Sequence, residues 1–207
     1  HIKNARDMFP NIVKGWSDEA IKATDHPGGV YYKCKRCVHA THNGGKPPGL
    51  ARQIGLLVSE AAEFQKIWFR LHPAIKAREE YILDCLHGRI EGNPSRTLIN
   101  KFGYRITFFD RVESVFTEAM TWIQQSTIGV CCFKGAIALH NETPWVKKLL
   151  QVHDSVVFQF PISHRQRIPE IKAALHSVII PYDDPLCIPW KLSLSLESWG
   201  AAEAVDW

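Results

Sequence analysis

LLQVHDSVVFQFP, residues 149–161, sets two apolar, β-branched runs on either side of a His-Asp pair. Such runs, separated by turn residues, read as the two strands of a hairpin. Asp154 then stands at the tip with His153 just before it. A carboxylate in that place suits a metal ligand, because the flanking strands hold its oxygens still. An ordinary turn aspartate gives the same pattern, since turns favour Asp for its short polar side chain. The residues alone leave both readings open.

Working outward, the C-terminal side continues with "SHRQRIPEIKAALHSVI" (163–179), which reads as one helix, and "PWKLSLSLESWG" (189–200), which alternates as a last strand. On the N-terminal side a long helix is expected from about Ser114 to His140, preceded by "TLINKFGYRITFFD" (97–110), a hairpin around Gly103. Lys147 and Lys148 are expected to cap a solvent-facing loop. The first 90 residues or so read as helices. "SDEAIKA" opens with Ser17 as N-cap and early acids, and "TDHPGG" breaks it. "VYYKCKRCVHA" is a short basic helix ended by Asn43-Gly44-Gly45. "LARQIGLLVSEAAEFQKIWFRL" (50–71) is a helix with room for a bend partway, and "PAIKAREEYILDCLHG" starts with Pro73 in its first turn. A helical N-terminal part and an α+β C-terminal part with an antiparallel sheet follow from this order.

Composition is that of an ordinary globular protein: 45% hydrophobic and 22% charged over 207 residues. Twenty-five Lys and Arg against 21 Asp and Glu give a net charge of +4, which permits a polyanionic partner without demanding one. No apolar run reaches the roughly 18 residues of a membrane span, and the charged N-terminus "HIKNARDMFPNIVKGW" does not read as a signal peptide. An intracellular protein with six reduced cysteines is the expectation. The missing initiator Met suggests a piece of a longer chain.

"KCKRCVHATHNGGKP" (33–47) packs Cys34, Cys37, His39 and His42 into nine positions, which raises the question of zinc. At roughly 100° per residue these four side chains scatter around a helix instead of converging. They also lack the spacer of about 12 residues that lets a zinc finger fold back. No zinc is expected; the cysteines pack as small hydrophobes.

Taken together, "LLQVHDSVVFQFP", "WIQQST" (122–127), "NKFGYRITFFDR" (100–111) and the closing "LSLESWGAAEAVDW" resemble, in order, the C-terminal part of a family A DNA polymerase, most of all the bacteriophage branch. The likeness spans essentially the whole chain. It implies the fingers and palm of a right-hand polymerase: helical fingers over residues 1–88 and a palm of antiparallel sheet with packed helices over 89–207. It implies template-directed addition of deoxynucleotides to a primer 3′ end, with two divalent metals, Mg2+, about 3.5–4 Å apart. Asp154 matches a metal-binding catalytic carboxylate and His153 the residue that meets the primer end. Gln125 matches a glutamine reading the minor groove, where acceptors look alike for every base pair. Lys35, His39 and Asn43 take the places of the nucleotide-binding fingers helix, with Lys35 supplying a charge-assisted contact to the triphosphate. Arg105 and Arg111 are candidate DNA-backbone contacts. Primer-template DNA, deoxynucleoside triphosphates and the N-terminal remainder of the polymerase are the implied partners.

The chain departs from the family in ways that bear on chemistry. The first catalytic Asp, in an Asp-x-Ser-x-x-Glu strand, has no counterpart here, so this piece alone is expected to be inactive. Ser155 replaces the Glu after His-Asp, as in single-subunit phage RNA polymerases. Tyr31 replaces a basic residue four before Lys35, Asn43 replaces a Tyr, and Thr117 replaces an Arg eight before Gln125. An RNA polymerase fragment and a catalytically dead nucleic-acid-binding remnant are the alternative readings.

Overall fold

The structure, a computed structural model, describes residues 1–207, and the chain divides into two compact units. The first comprises residues 1–98 and 106–122. Seven helices build most of it: α1 (Ile2–Met8), α2 (Pro10–Val13), α3 (Asp18–Lys22), α4 (Val30–His42), α5 (Pro47–Ile54), α6 (Val58–Leu71) and α7 (Pro73–His87). Local chemistry sets their ends as anticipated. The Ser17 hydroxyl accepts from Ala20 N at 3.2 Å, Pro73 opens α7, and Gly88 closes it with φ +69. The 50–71 stretch goes further than a bend. Gly55, also at φ +69, ends α5, and α6 starts afresh with Glu60 accepting from the Leu57 N–H at 2.7 Å. The core of this unit gathers Ala5, Val13, Ile21, Leu50, Phe64 and Trp68, with Cys34 and Cys37 buried among them.

The second unit comprises residues 99–105 and 123–207. The strands β1 (Thr97–Ile99) and β2 (Arg105–Thr107) pair, and the 31-residue α8 (Val112–Glu142) follows. Its C-terminal portion packs Leu139 with Val146, Ile171, Ala174 and Leu175. A Cβ at Gly135 would lie 2.9 Å from the Trp190 ring and 3.1 Å from Leu175, so the missing side chain is what admits the indole. β3 (Lys147–Val152) pairs antiparallel with β4 (Ser155–Gln159), with a bulge between Lys148 and Leu150. Lys147 and Lys148 therefore belong to a strand, not to a loop cap, and Lys148 Nζ folds back onto the Val146 carbonyl at 3.0 Å.

Three further details differ from the sequence reading. Residues 163–179 are not one helix: a 3-10 turn (Ile162–Arg167) precedes α9 (Ile168–His176). Pro169 sits in the first turn of α9, where its missing N–H is harmless, and so marks a helix start. The last strand is not 189–200. β7 (Leu192–Leu194) stops where the Ser195 hydroxyl accepts from Glu197 N and Ser198 N at 3.0 and 3.3 Å, a local turn. β8 (Glu203–Val205) then returns antiparallel to β7. Finally, the strands do not merge into one sheet. With β5 (Ile179–Ile180) and β6 (Leu186–Cys187) included, they form four two-stranded ribbons.

Candidate functional site

The register Val152↔Ser155 leaves His153 and Asp154 as a two-residue turn. Such tight turns demand positive φ, and His153 supplies it at +52 without being glycine. Its carbonyl accepts from Gln151 Nε2, which pins the tip. Residues held in such sparsely populated backbone conformations are found at working sites more often than elsewhere, where the surroundings over-determine the backbone. Asp154 is exposed, with the Ser155 hydroxyl 3.4 Å from its Oδ1. It lies on a groove of about 1140 Å3 lined also by Cys132, Arg165, Lys191 and Trp199. Cys132 is buried below it, and its thiol is pushed up to about 11, by desolvation first and by the Asp154 charge second. No three of His, Cys, Asp and Glu gather so as to enclose a metal ion. Asp154 therefore stands as a single exposed carboxylate, and the residues around it do not make a complete metal centre.

Gln125 is exposed on α8. Next to it in the chain, Ser126 accepts from Asn100 Nδ2 at 3.1 Å, while Asn100 Oδ1 accepts from the backbone N–H of Phe102 and of Tyr104, both at 3.0 Å. The buried Asn100 therefore fastens the β1–β2 turn onto α8 beside Gln125. Sequence reading missed this residue; an Asn just before a Lys-Phe-Gly turn was the available signal. Arg105 is exposed on β2.

In the first unit the cysteine-histidine stretch is helical, as α4. Cys34 and Cys37 turn into the core, and burial pushes both thiols up to about 12. Lys35 and His39, four apart, share a face. Lys35 Nζ is 3.3 Å from Asp25 Oδ2, so the predicted phosphate cation already carries an ion-pair partner. The His39 ring lies 5.5 Å from that of His1, which meets Tyr31 edge-on at 5.8 Å. Asn43 is the C-cap of α4, its N–H donating to the His39 carbonyl. Arg111 is exposed and its carbonyl accepts the N–H groups of Ser114 and Val115, which opens α8.

Two arginines outside the sequence-derived set hold this unit together. Arg96, at φ +60, donates from Nε to the Phe108 carbonyl at 2.7 Å and from its terminal nitrogen to the Asp110 carbonyl. Arg78 joins His42 Nε2 at 3.0 Å and the Met120 carbonyl, and burial lowers its pKa. Both act on backbone or ring acceptors and are structural.

The chain is thus a mixed α+β fold of helices with antiparallel ribbons, carrying an exposed His-Asp turn at the tip of one of them. No family model matches the sequence, and no curated protein does. Among solved structures the chain is similar to the polymerase domain of Pol1 from M. smegmatis, a complex with DNA primer-template and dNTP. The likeness has a TM-score of 0.67 at 17% identity over 90% of this chain, and it shows the fold. The chain spans 32% of that chain's length.

Proposed function

We propose that this chain is the fingers (residues 1–88) and palm (residues 89–207) of a polymerase that adds deoxynucleotides to a primer 3′ end inside the cell. The observation that carries the reading is the His153–Asp154 hairpin, a two-residue turn that exposes one carboxylate on a groove in a polymerase-like fold. In this reading Asp154 is one carboxylate arm for a divalent metal, Mg2+, whose chemistry is to stabilise the attacking and leaving oxygens. The remaining ligands lie outside the residues this chain gathers. His153 and Gln125 bear on the primer-template end, Arg105 and Arg111 on the DNA backbone, and Lys35, His39 and Asn43 on the incoming nucleotide. Lys35 contributes charge and His39 the face next to it.

Primer extension by the full polypeptide that the gene encodes, compared with its Asp154→Asn variant, tests this. Loss of extension with primer-template binding retained supports the assignment. Extension that survives the substitution sinks it.

A second reading, a nucleic-acid-binding remnant without catalysis, is favoured by the Lys35–Asp25 pair and by Tyr31 where a cation would serve. It predicts salt-dependent DNA binding and no extension even by the unsubstituted polypeptide.

A further inference from the structure

We propose that Asp25 is a built-in competitor for the triphosphate: its carboxylate occupies Lys35, phosphate must displace it, and Asp25 thereby sets how tightly phosphate is held. The inference rests on the reading of Lys35 as the phosphate-binding cation. Asp25 Oδ2 and Lys35 Nζ are 3.3 Å apart, with side-chain exposures of 39% and 44%. Both are therefore within reach of a solute, and the pair can be exchanged without opening the core.

The carboxylate does not sit there by the chance of a floppy loop. Thr24, its neighbour, is bonded on three sides. Its hydroxyl accepts from Tyr31 N at 2.9 Å and donates to the Ile21 carbonyl at 2.7 Å, and its own carbonyl accepts from Tyr32 N at 3.3 Å. Gly29 N donates to the His26 carbonyl at 2.9 Å, closing the turn. A Cβ at Gly29 would fall 2.1 Å from the Thr24 carbonyl oxygen, so only glycine lets the loop lie this close. Asp25 is thus delivered to Lys35 by backbone geometry.

The same bonds weaken the other obvious anchor for phosphate, by taking two of its N–H groups. The first turn of a helix ordinarily offers free N–H groups to an anion. Here the Tyr31 and Tyr32 N–H groups are spent on Thr24. Tyr31 brings no charge, and the Arg36 guanidinium lies over the Tyr32 ring, 5.3 Å from its centroid. Phosphate recognition on this face falls to Lys35, and Asp25 opposes it directly. An exposed ion pair is weak, so the competition tunes affinity without blocking the site.

The test is calorimetric titration of the 207-residue chain with inorganic triphosphate at low salt, which isolates the charge contact from base and sugar. Asp25→Asn is expected to tighten binding roughly two- to fivefold. Asp25→Glu keeps the wild-type affinity, and Lys35→Ala weakens it. In the Lys35→Ala background, Asp25→Asn makes no difference. If Lys35→Ala weakens binding but Asp25→Asn fails to tighten it, the competitor role is overturned. A gain that persists without Lys35 also overturns it, since it would report general charge repulsion. Urea melts of each variant separate binding from folding: an Asp25→Asn chain that is destabilised and binds no tighter assigns Asp25 a structural role instead. If Lys35→Ala leaves binding unchanged, the reading of Lys35 itself fails.

Discussion

His153 is held at φ +52, a conformation that costs a residue with a Cβ about 1–2 kcal/mol. Glycine removes that cost but adds backbone entropy to the unfolded chain. His153→Gly is therefore expected to stabilise the protein by a net ~0.5–1 kcal/mol in chemical denaturation. A variant that is less stable would mean that the imidazole packs for the fold instead of being tolerated for a task. At this scale the sequence was silent about pairing. Asp154, Lys35 and Gln125 all face solvent at least in part. That Lys35 would meet Asp25 could not be read, because the contact crosses a turn ten residues away that depends on Thr24 and Gly29. Asn100 and Arg96 escaped notice for the same reason: their value lies in acceptors that only the fold brings near.

Elements were legible where one periodic signal dominated. The amphipathic helices, the Ser17 and Pro73 starts and the hairpin around His153-Asp154 followed from spacing and caps, though not its first residues Lys147 and Lys148. What did not follow was the break at Gly55 and the 3-10 start of α9, both set by single backbone-special residues inside apolar patterns. Nor did four separate ribbons, since strand partners are chosen by tertiary packing. For α4 the buried thiols give a consequence in pH. Cys34 and Cys37 titrate at about 12 in the fold against an ordinary 9.0. A group with a raised folded pKa stabilises while protonated, so this contribution is intact below pH 9.0 and is lost as pH climbs towards 12. Alkaline denaturation followed by helical circular dichroism is expected to begin in that window, and to shift to higher pH in the Cys34→Ala/Cys37→Ala variant despite its lower stability at pH 7. An unshifted alkaline limb would remove the thiols as its cause.

For the molecule as a whole, the likeness to a polymerase domain was legible from ordered landmarks, while the interleaving of the two compact units along the chain was not. The hairpin tip 99–105 joins the second unit while the outer ends of both its arms join the first, a division no local pattern encodes. Thiol chemistry offers a global check on the packing. Five of the six cysteines are buried, and Cys187 on β6 is exposed. Brief alkylation of the native chain is expected to modify Cys187 alone, as read by peptide mass spectrometry, with the other five reacting only after denaturation. Early modification of Cys34 or Cys37 would contradict the placement of α4 against the core. No helix is long and apolar enough to cross a membrane.

The turn between Val152 and Ser155 also has a meaning in the currency of gene length. Two residues are the whole connection, and one inserted codon would turn every side chain of one strand to the opposite face. The link between Ile180 and Leu186 has no such arithmetic, since its residues 181–185 are exposed and outside any strand. In-frame insertions and deletions are tolerated at the second place and forbidden at the first, so a library of single-codon length variants would outline the carboxylate's mounting without any assay of chemistry.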